Sequence, residues 1–115
     1  MRKAQFVIAD REGVICFWSA GAETAFGHPA AEAVGQTLDL IVPPEFREAH
    51  WKGFRRAVQS SAAHLEGQVT PFPVCCADGG VLAAPGRLTL VRDPEGEVIA
   101  VTVAFGSYPR SAEAR

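Results

Sequence analysis

The chain has 115 residues, of which 48% are hydrophobic and 21% are charged, and its formal net charge is -2 at pH 7. This length suits one domain with a single core, because most domains run to about 100–150 residues. The charge offers no basis for binding nucleic acid or an anionic membrane, and no apolar run approaches the ~20 residues that span a bilayer. The N-terminal apolar segment is too short for a signal peptide, so a cytoplasmic protein is expected.

A strand hairpin and a series of helices are predicted for the first 60 residues. Two runs rich in β-branched and aromatic side chains flank a polar turn containing Gly13, which is the pattern of an antiparallel hairpin. Further along, Ser19 is a suitable helix N-cap, Gly27 a suitable helix stop, and Pro44 a suitable residue for the first turn of a longer helix. The predicted strands are 4–10 and 14–18, and the predicted helices are 20–26, 29–34 and 44–60.

The second half of the chain predicts three more strands. These are 65–75, 81–91 and 98–105, separated by turn sequences that contain Gly. Pro71, Pro73 and Pro85 indicate sheet edges or bulges, because proline cannot donate to a strand ladder. Strands on both sides of a helical segment predict an α+β fold, with an antiparallel sheet and helices on one face. Residues 1–106 are expected to form this domain, and residues 107–115 a flexible tail.

Particular residues within this order resemble the PAS sensory domain family. The shared features are an Asp-x-x-Gly turn, a strand that ends in an aromatic residue, an Ala-Glu-x-x-Phe-Gly helix, a Glu-x-x-Gly segment and a Pro-x-x-x-Arg helix start. The matching positions are Asp10, Gly13, Trp18, Ser19, Ala22, Glu23, Phe26, Gly27, Glu32, Gly35, Pro43 and Arg47. The resemblance implies a PAS fold, with a five-stranded antiparallel sheet, several short helices and one longer helix. It also implies a sensory role, a homodimer and a signalling partner such as a kinase.

Within the PAS family, the longest predicted helix resembles that of the heme-binding oxygen sensors, both the rhizobial sensor kinases of nitrogen fixation and the direct oxygen-sensor phosphodiesterases. Their Pro-x-x-x-Arg-x-x-His motif is matched by Pro43, Arg47 and His50. The resemblance implies that His50 is the metal ligand of a heme b iron. It also implies that Arg56 and His64, six and fourteen residues beyond His50, meet the heme propionates.

The helical pattern itself predicts that His50 faces the interior. His50 lies four residues after Phe46 and four before Phe54, on one apolar stripe. Ala49 and Gly53 beside it leave room, and a glycine inside a helix costs about 1 kcal/mol relative to alanine, so it calls for a packing reason such as a flat cofactor. An ordinary buried histidine that bonds a carbonyl oxygen is the competing interpretation, and the pattern alone leaves both open.

The distal side of the expected pocket departs from the heme-sensor pattern. Those sensors present an arginine to bound oxygen, whereas Thr70 occupies the equivalent position, twenty residues beyond His50. The rest of the wall is expected to be apolar, which favours binding of carbon monoxide or nitric oxide over a stabilised oxygen complex. The sequence does not specify which gas is bound. The expected lining residues of this side are Leu65, Val69, Leu88, Leu90 and Val101, and Phe54 is a further residue expected to contact the cofactor.

Two other functions remain open at this point. One is a cofactor-free interaction or dimerisation module, and the other is a sensor in which His50 and Arg56 hold the carboxylate of a small organic ligand. No catalytic triad, His-Glu-x-x-His motif or phosphate-binding loop occurs in the sequence, so no enzymatic activity is expected. The Asn-Cys-Arg-Phe motif of flavin photosensors is also missing, which argues against that class.

Overall fold

The structure, a computed structural model that describes residues 3–106, contains one antiparallel sheet and three α-helices. The strands are β1 Gln5–Asp10, β2 Ile15–Trp18, β3 Val69–Cys75, β4 Val81–Arg92 and β5 Val98–Phe105. The helices are α1 Ala20–Phe26, α2 Ala30–Ala33 and α3 Arg47–Ser60, with 3₁₀ turns at Leu38–Leu40 and Pro44–Phe46. The strand order is β2-β1-β5-β4-β3. This confirms the predicted α+β fold, whereas the predicted tail, 107–115, lies outside the described residues.

The Asp-x-x-Gly sequence closes the turn between β1 and β2. Asp10 Oδ1 accepts hydrogen bonds from the backbone amides of Glu12 and Val14, each at 3.0 Å. The Gly13 amide donates to the Asp10 carbonyl at 2.9 Å, and Gly13 has a φ of 84°. Because that left-handed conformation suits glycine best, the turn depends on this residue.

Helix α3 is tied at its start to the chain that precedes it. Arg47 Nε donates to the Val42 carbonyl at 3.0 Å, and Arg47 Nη2 donates to the Asp39 carbonyl at 3.2 Å. These bonds give the Pro-x-x-x-Arg sequence a structural role, since they direct the helix across the inner face of the sheet. The predicted helix start at Pro44 is instead a 3₁₀ turn, and the α-helix begins at Arg47.

The core lies between the inner face of the sheet and the helices. Its largest fully buried side chains are Phe26, Ile15, Val74, Val98 and Pro43. Helix α3 contributes a single buried residue to this core, Phe54, so the helix covers the sheet without filling all the space beneath it. In the described part of the chain, no helix is both long and apolar enough to cross a membrane.

The third strand begins later than predicted, at Val69 in place of residue 65. Residues 61–68, which we call the rim segment, form tight turns in which the Glu66 amide donates to Ala63 and the Gln68 amide donates to Leu65. A chain that turns on itself in this way cannot pair as a strand. The segment therefore connects α3 to β3 as a loop.

The rim segment is bound to β4 by an ion pair. Arg92 Nη2 lies 2.7 Å from Glu66 Oε1, and Arg92 Nη1 donates to Glu66 Oε2 at 3.1 Å. Glu66 Oε2 also accepts a hydrogen bond from the Leu90 amide at 3.0 Å. The hydrogen bonds from Arg92 and Leu90 together hold the pKa of Glu66 below its ordinary value of 4.5.

This ion pair predicts a pH-dependent contribution to stability. Because the pKa of Glu66 is lower in the folded protein, its contribution is present above the unfolded value of 4.5 and is lost as pH falls through the folded value. We expect Glu66→Gln to lower the melting temperature by about 2–4 °C at pH 7, the modest effect typical of an exposed pair. Melting curves recorded from pH 7 to pH 2.5 should show this difference shrink with acid. A difference that stays constant would contradict the assignment.

Candidate ligand cavity

A cavity of about 330 Å³ lies between α3, the rim segment and the inner face of the sheet. Most of its wall is apolar, contributed by α3 on one side and by β3, β4 and β5 on the other. The predicted site residues in its lining are His50, Phe54, Arg56, His64, Leu65, Leu88 and Leu90. Its size lies at the lower end of ligand pockets, which span about 300–1,000 Å³. The fold thus brings these side chains around one space.

Two of the residues expected at the distal wall, Val69 and Thr70, are not part of the cavity lining. Successive strand residues point to opposite faces of a sheet, so Val69, which begins β3, points away from Phe72 and is 41% exposed. Val69 therefore has no part in the distal wall. Thr70 is half-buried on β3, while the strand wall of the cavity is built from Phe72, Leu88, Leu90 and Val101.

The polar centre of the cavity wall is His50. Its Nδ1 atom is buried and has no hydrogen-bond partner. A buried polar atom left unpaired costs about 1–3 kcal/mol, which an ordinary core histidine would avoid by bonding a carbonyl. His50 is one of the residues that line the cavity, so its imidazole ring is next to any molecule bound there. The arrangement is that of a side chain with a free donor or acceptor for a ligand.

Burial also sets the charge of this imidazole. Desolvation lowers the pKa of His50 below its ordinary value of 6.5, and the carboxylate of Asp39 offsets part of that effect. The ring is therefore neutral at pH 7, which leaves a nitrogen lone pair available for a metal or a donor.

Aromatic contacts, not hydrogen bonds, orient His50. The centroids of the His50 and Trp51 rings are 4.8 Å apart, with an interplanar angle of 73°, and the Phe54 ring lies 5.9 Å from His50 and 5.4 Å from Trp51. Trp51 is in turn held by its Nε1 atom, which donates to Asp39 Oδ1 at 2.7 Å. The indole packs directly over Gly13 in the turn between β1 and β2. No short-range pattern in the sequence indicates this chain of contacts.

The mouth of the cavity carries the remaining polar groups. Arg56 and His64 both line the cavity and are both exposed, so they lie where the cavity opens to solvent. Beside them, a Cβ atom placed on Gly53 would meet nothing within 4 Å. The helix surface is therefore open at this point, and a flat molecule can lie against it with its polar edge toward Arg56 and His64.

These residues fit a heme group. The site supplies an imidazole of the kind that binds heme iron, an apolar wall and, at the mouth, donors for carboxylates. Among residues 3–106, no three His, Cys, Asp or Glu side chains come together as ligands of a bare metal ion.

A second, more open depression of about 510 Å³ lies between the end of α1 and the turn between β3 and β4. Its polar groups include Cys76 and Asp78. Burial raises the pKa of the Cys76 thiol, and the nearby Asp78 carboxylate raises it further, so the thiol stays protonated at neutral pH. A protonated thiol is a weak nucleophile and a poor metal ligand. The smaller cavity at His50 is therefore the better ligand site.

Comparison with known proteins agrees with this fold. The family model described as "PAS fold" matches residues 4–105. The chain therefore belongs to the PAS family, and it is a PAS sensory domain.

Among curated proteins, the chain is similar to the oxygen sensor protein DosP of Escherichia coli (strain K12). The two are 25% identical over 104 residues, and the match covers 80% of this chain but only 13% of DosP. Among solved structures, it is similar to a PAS domain from Colwellia psychrerythraea, with a TM-score of 0.74, 18% identity, and coverage of 100% of this chain and 90% of that chain. It also resembles the PAS domain of the RpfR quorum-sensing receptor of Cronobacter turicensis in complex with BDSF. There the TM-score is 0.70, the identity is 17%, and the coverage is 93% of this chain and 94% of that chain.

Proposed function

We propose that this PAS domain binds heme b through His50 and thereby senses a diatomic gas or the redox state of its surroundings. The observation that carries the proposal is a half-buried imidazole without a hydrogen-bond partner that lines an apolar cavity. The motif resemblance supports it, because His50 stands where heme-binding PAS sensors carry their iron ligand. The similarity to a protein named as an oxygen sensor points the same way.

Each polar residue of the cavity has a separate role in this proposal. His50, neutral at pH 7, donates a lone pair to the iron. Arg56 and His64, at the mouth, pair with the propionates and fix which edge of the heme faces solvent. Phe54, Leu88 and Leu90, which line the cavity, would shield a bound heme from water. Heme iron, when bound, supplies the open coordination position at which a diatomic gas binds.

The composition of the distal wall bears on which gas is sensed. Leu65, Leu88 and Leu90 have no hydrogen-bond donor in their side chains, and Thr70 does not line the cavity. Bound oxygen is stabilised by a donor, whereas carbon monoxide and nitric oxide depend on one far less. The proposed ligands are therefore carbon monoxide or nitric oxide in preference to oxygen.

A hemin titration tests the proposal. The purified protein should bind one equivalent of hemin and develop a sharp Soret band that saturates at that ratio. After reduction with dithionite, carbon monoxide should shift the band, because one axial position is open. A spectrum that stays that of free hemin, or binding without a stoichiometric end point, would refute the assignment.

A second candidate function is the binding of an amphipathic carboxylate. The same cavity combines an apolar wall with Arg56 and His64 at its mouth, and the related RpfR domain has been solved in complex with C12:0. In this alternative, the carboxylate pairs with Arg56 and the alkyl chain lies along the leucines. Dodecanoate would then raise the melting temperature in the absence of hemin. In an Arg56→Ala variant, a much higher concentration of dodecanoate would be needed for the same rise in melting temperature.

The outer face of the sheet supports a proposal about assembly. In the described part of the chain, this face leaves the apolar side chains of Phe17 and Val91 exposed. Phe17 is 46% exposed, and its ring lies 6.1 Å from that of the half-buried Phe6. Exposed apolar and aromatic side chains are typical of association surfaces, so we propose that the domain forms homodimers through this face.

We expect Phe17→Glu to shift the protein from dimer to monomer, because the charge would be buried against the partner's apolar face. Light scattering at several concentrations measures the mass directly. Phe46→Glu is a matched control, since Phe46 is 47% exposed but precedes α3, away from the outer face of the sheet. Dissociation of both variants, or of neither, would count against this surface.

A further inference from the structure

A single guanidinium holds both ends of the rim segment. At the beginning of the segment, Arg92 Nε and Nη2 donate to the Ser61 carbonyl at 3.2 Å and 3.0 Å. Near its end, the same side chain forms the two-pronged pair with Glu66 at 2.7 Å and 3.1 Å. The separation in sequence is 31 residues for the first contact and 26 for the second. Arg92 therefore closes the segment into a loop against β4.

The residues between these two anchor points form the rim of the cavity. Ala62, Ala63, His64 and Leu65 all line it, and they follow one another without interruption. The backbone bonds within this stretch are local turns, so they do not by themselves hold it against the sheet. Its position over the cavity depends on the contacts with β4 on either side of it, of which those at Ser61 and Glu66 are made by Arg92.

The length of β4 explains why an anchor is needed here. The last β3–β4 pair is Val69 with Arg87, yet β4 continues to Arg92. Beyond Arg87, β4 is still paired with β5 on one side, but its other edge, where β3 lay, has no neighbouring strand. An unpaired strand edge carries free amides and carbonyls. The rim segment satisfies this edge in place of β3, since the Gly67 amide donates to the Leu88 carbonyl at 2.9 Å and Glu66 accepts from the Leu90 amide.

We propose that Arg92 and Glu66 are positioning residues of the cavity, which hold residues 62–65 as its rim and thereby set how fast a ligand enters and leaves. The identity of the ligand as heme rests on the function proposed above. The positioning role itself is a property of the ligand-free protein. The ion pair is 36% and 24% exposed at its two side chains, so it opens directly into solvent and weakens as salt concentration rises.

The first test uses the ligand-free protein. Amide hydrogen exchange of residues 61–67 should be about fivefold faster in Arg92→Gln than in the wild type, while exchange in α1 and in β1 stays unchanged. Glu66→Gln keeps the size of the side chain and removes its charge, so it should give a smaller acceleration in the same segment. It remains informative if Arg92→Gln fails to fold. Equal exchange in the wild type and the folded variants would overturn the positioning role.

The second test measures ligand exchange, with hemin as the probe. Hemin-loaded protein is mixed with excess apomyoglobin, and the transfer rate is followed in the Soret region. Arg92→Gln should release hemin about fivefold faster, and added salt should speed up release from the wild type. Arg11→Gln, in the turn between β1 and β2, is the matched control and should leave the rate unchanged.

The two tests separate the two proposals. If hemin fails to bind the wild type but exchange in residues 61–67 still accelerates in Arg92→Gln, the positioning role stands and the heme assignment falls. If hemin binds through His50 and neither exchange nor release differs between the wild type and Arg92→Gln, the heme assignment stands and the positioning role is overturned.

Discussion

Replacing His50 with alanine is expected to abolish the stoichiometric Soret band and to weaken hemin binding by about 100-fold or more, because even the loss of a residue that only orients a metal ligand costs about 10- to 100-fold. The remaining apolar wall would still attract hemin, but without an axial ligand from the protein. Absorption spectra of the wild type and the variant, titrated side by side, give the measurement. A variant that keeps the wild-type band would show that His50 is not the ligand.

Two further measurements distinguish a lost ligand from a lost fold. His28→Gln removes another histidine that lies outside this cavity, so it should leave the band intact. Exogenous imidazole should restore a histidine-like spectrum to His50→Ala, because the space left by the side chain is open to the cavity. If His28→Gln loses the band as well, or imidazole restores nothing, the spectrum does not report on His50.

The stability of the ligand-free variant is equally informative. The Nδ1 atom of His50 is buried without a partner, so its removal gives back the cost of desolvation, which offsets part of the lost packing. We therefore expect the free energy of unfolding to change by no more than about 1 kcal/mol. A side chain that contributes little to folding but decides ligand binding is one retained for function.

Interactions between residues close in sequence were the predictable part of this molecule. The turn from Asp10 to Gly13 and the helix capped by Ser19 follow rules that act over three or four residues, and both are found as predicted. The helical spacing of His50 and Phe54 likewise indicated which side of α3 faces the cavity, whereas Phe46, which was predicted to share that stripe, lies in the 3₁₀ turn before α3 and is exposed. Local rules of this kind need no knowledge of the partner element.

Contacts between distant elements were not predictable in the same way. The bond from Trp51 to Asp39 and the pair of Arg92 with Glu66 join residues 12 and 26 positions apart. Their formation depends on how α3 and the rim segment lie on the sheet, which no local pattern specifies. The start of β3 illustrates the same limit, since the strand pattern predicted it at residue 65 and the structure has it at Val69. The turns of residues 61–68 determine where β3 actually begins.

The second large effect is expected at Gly13, and it concerns stability. Gly13 has a φ of 84°, where a residue with a Cβ costs about 1–2 kcal/mol. A Cβ at this position would also lie far inside contact distance of two ring atoms of Trp51. The indole would have to move, and overpacking of this kind costs a further ~1–3 kcal/mol. We therefore expect Gly13→Ala to lower the free energy of unfolding by about 2–5 kcal/mol.

Gly35→Ala separates the cost of the left-handed backbone conformation from the cost of displacing Trp51. Gly35 has a similar φ of 97°, but a Cβ there would meet nothing within 4 Å, so this variant carries only the backbone cost. Urea unfolding of both variants should show the larger loss for Gly13→Ala, and the difference between them measures the displacement of Trp51. Equal losses would mean that the indole moves aside without cost.

Because Trp51 also orients His50, Gly13→Ala should weaken hemin binding whereas Gly35→Ala should not, which would connect the turn between β1 and β2 to the iron ligand.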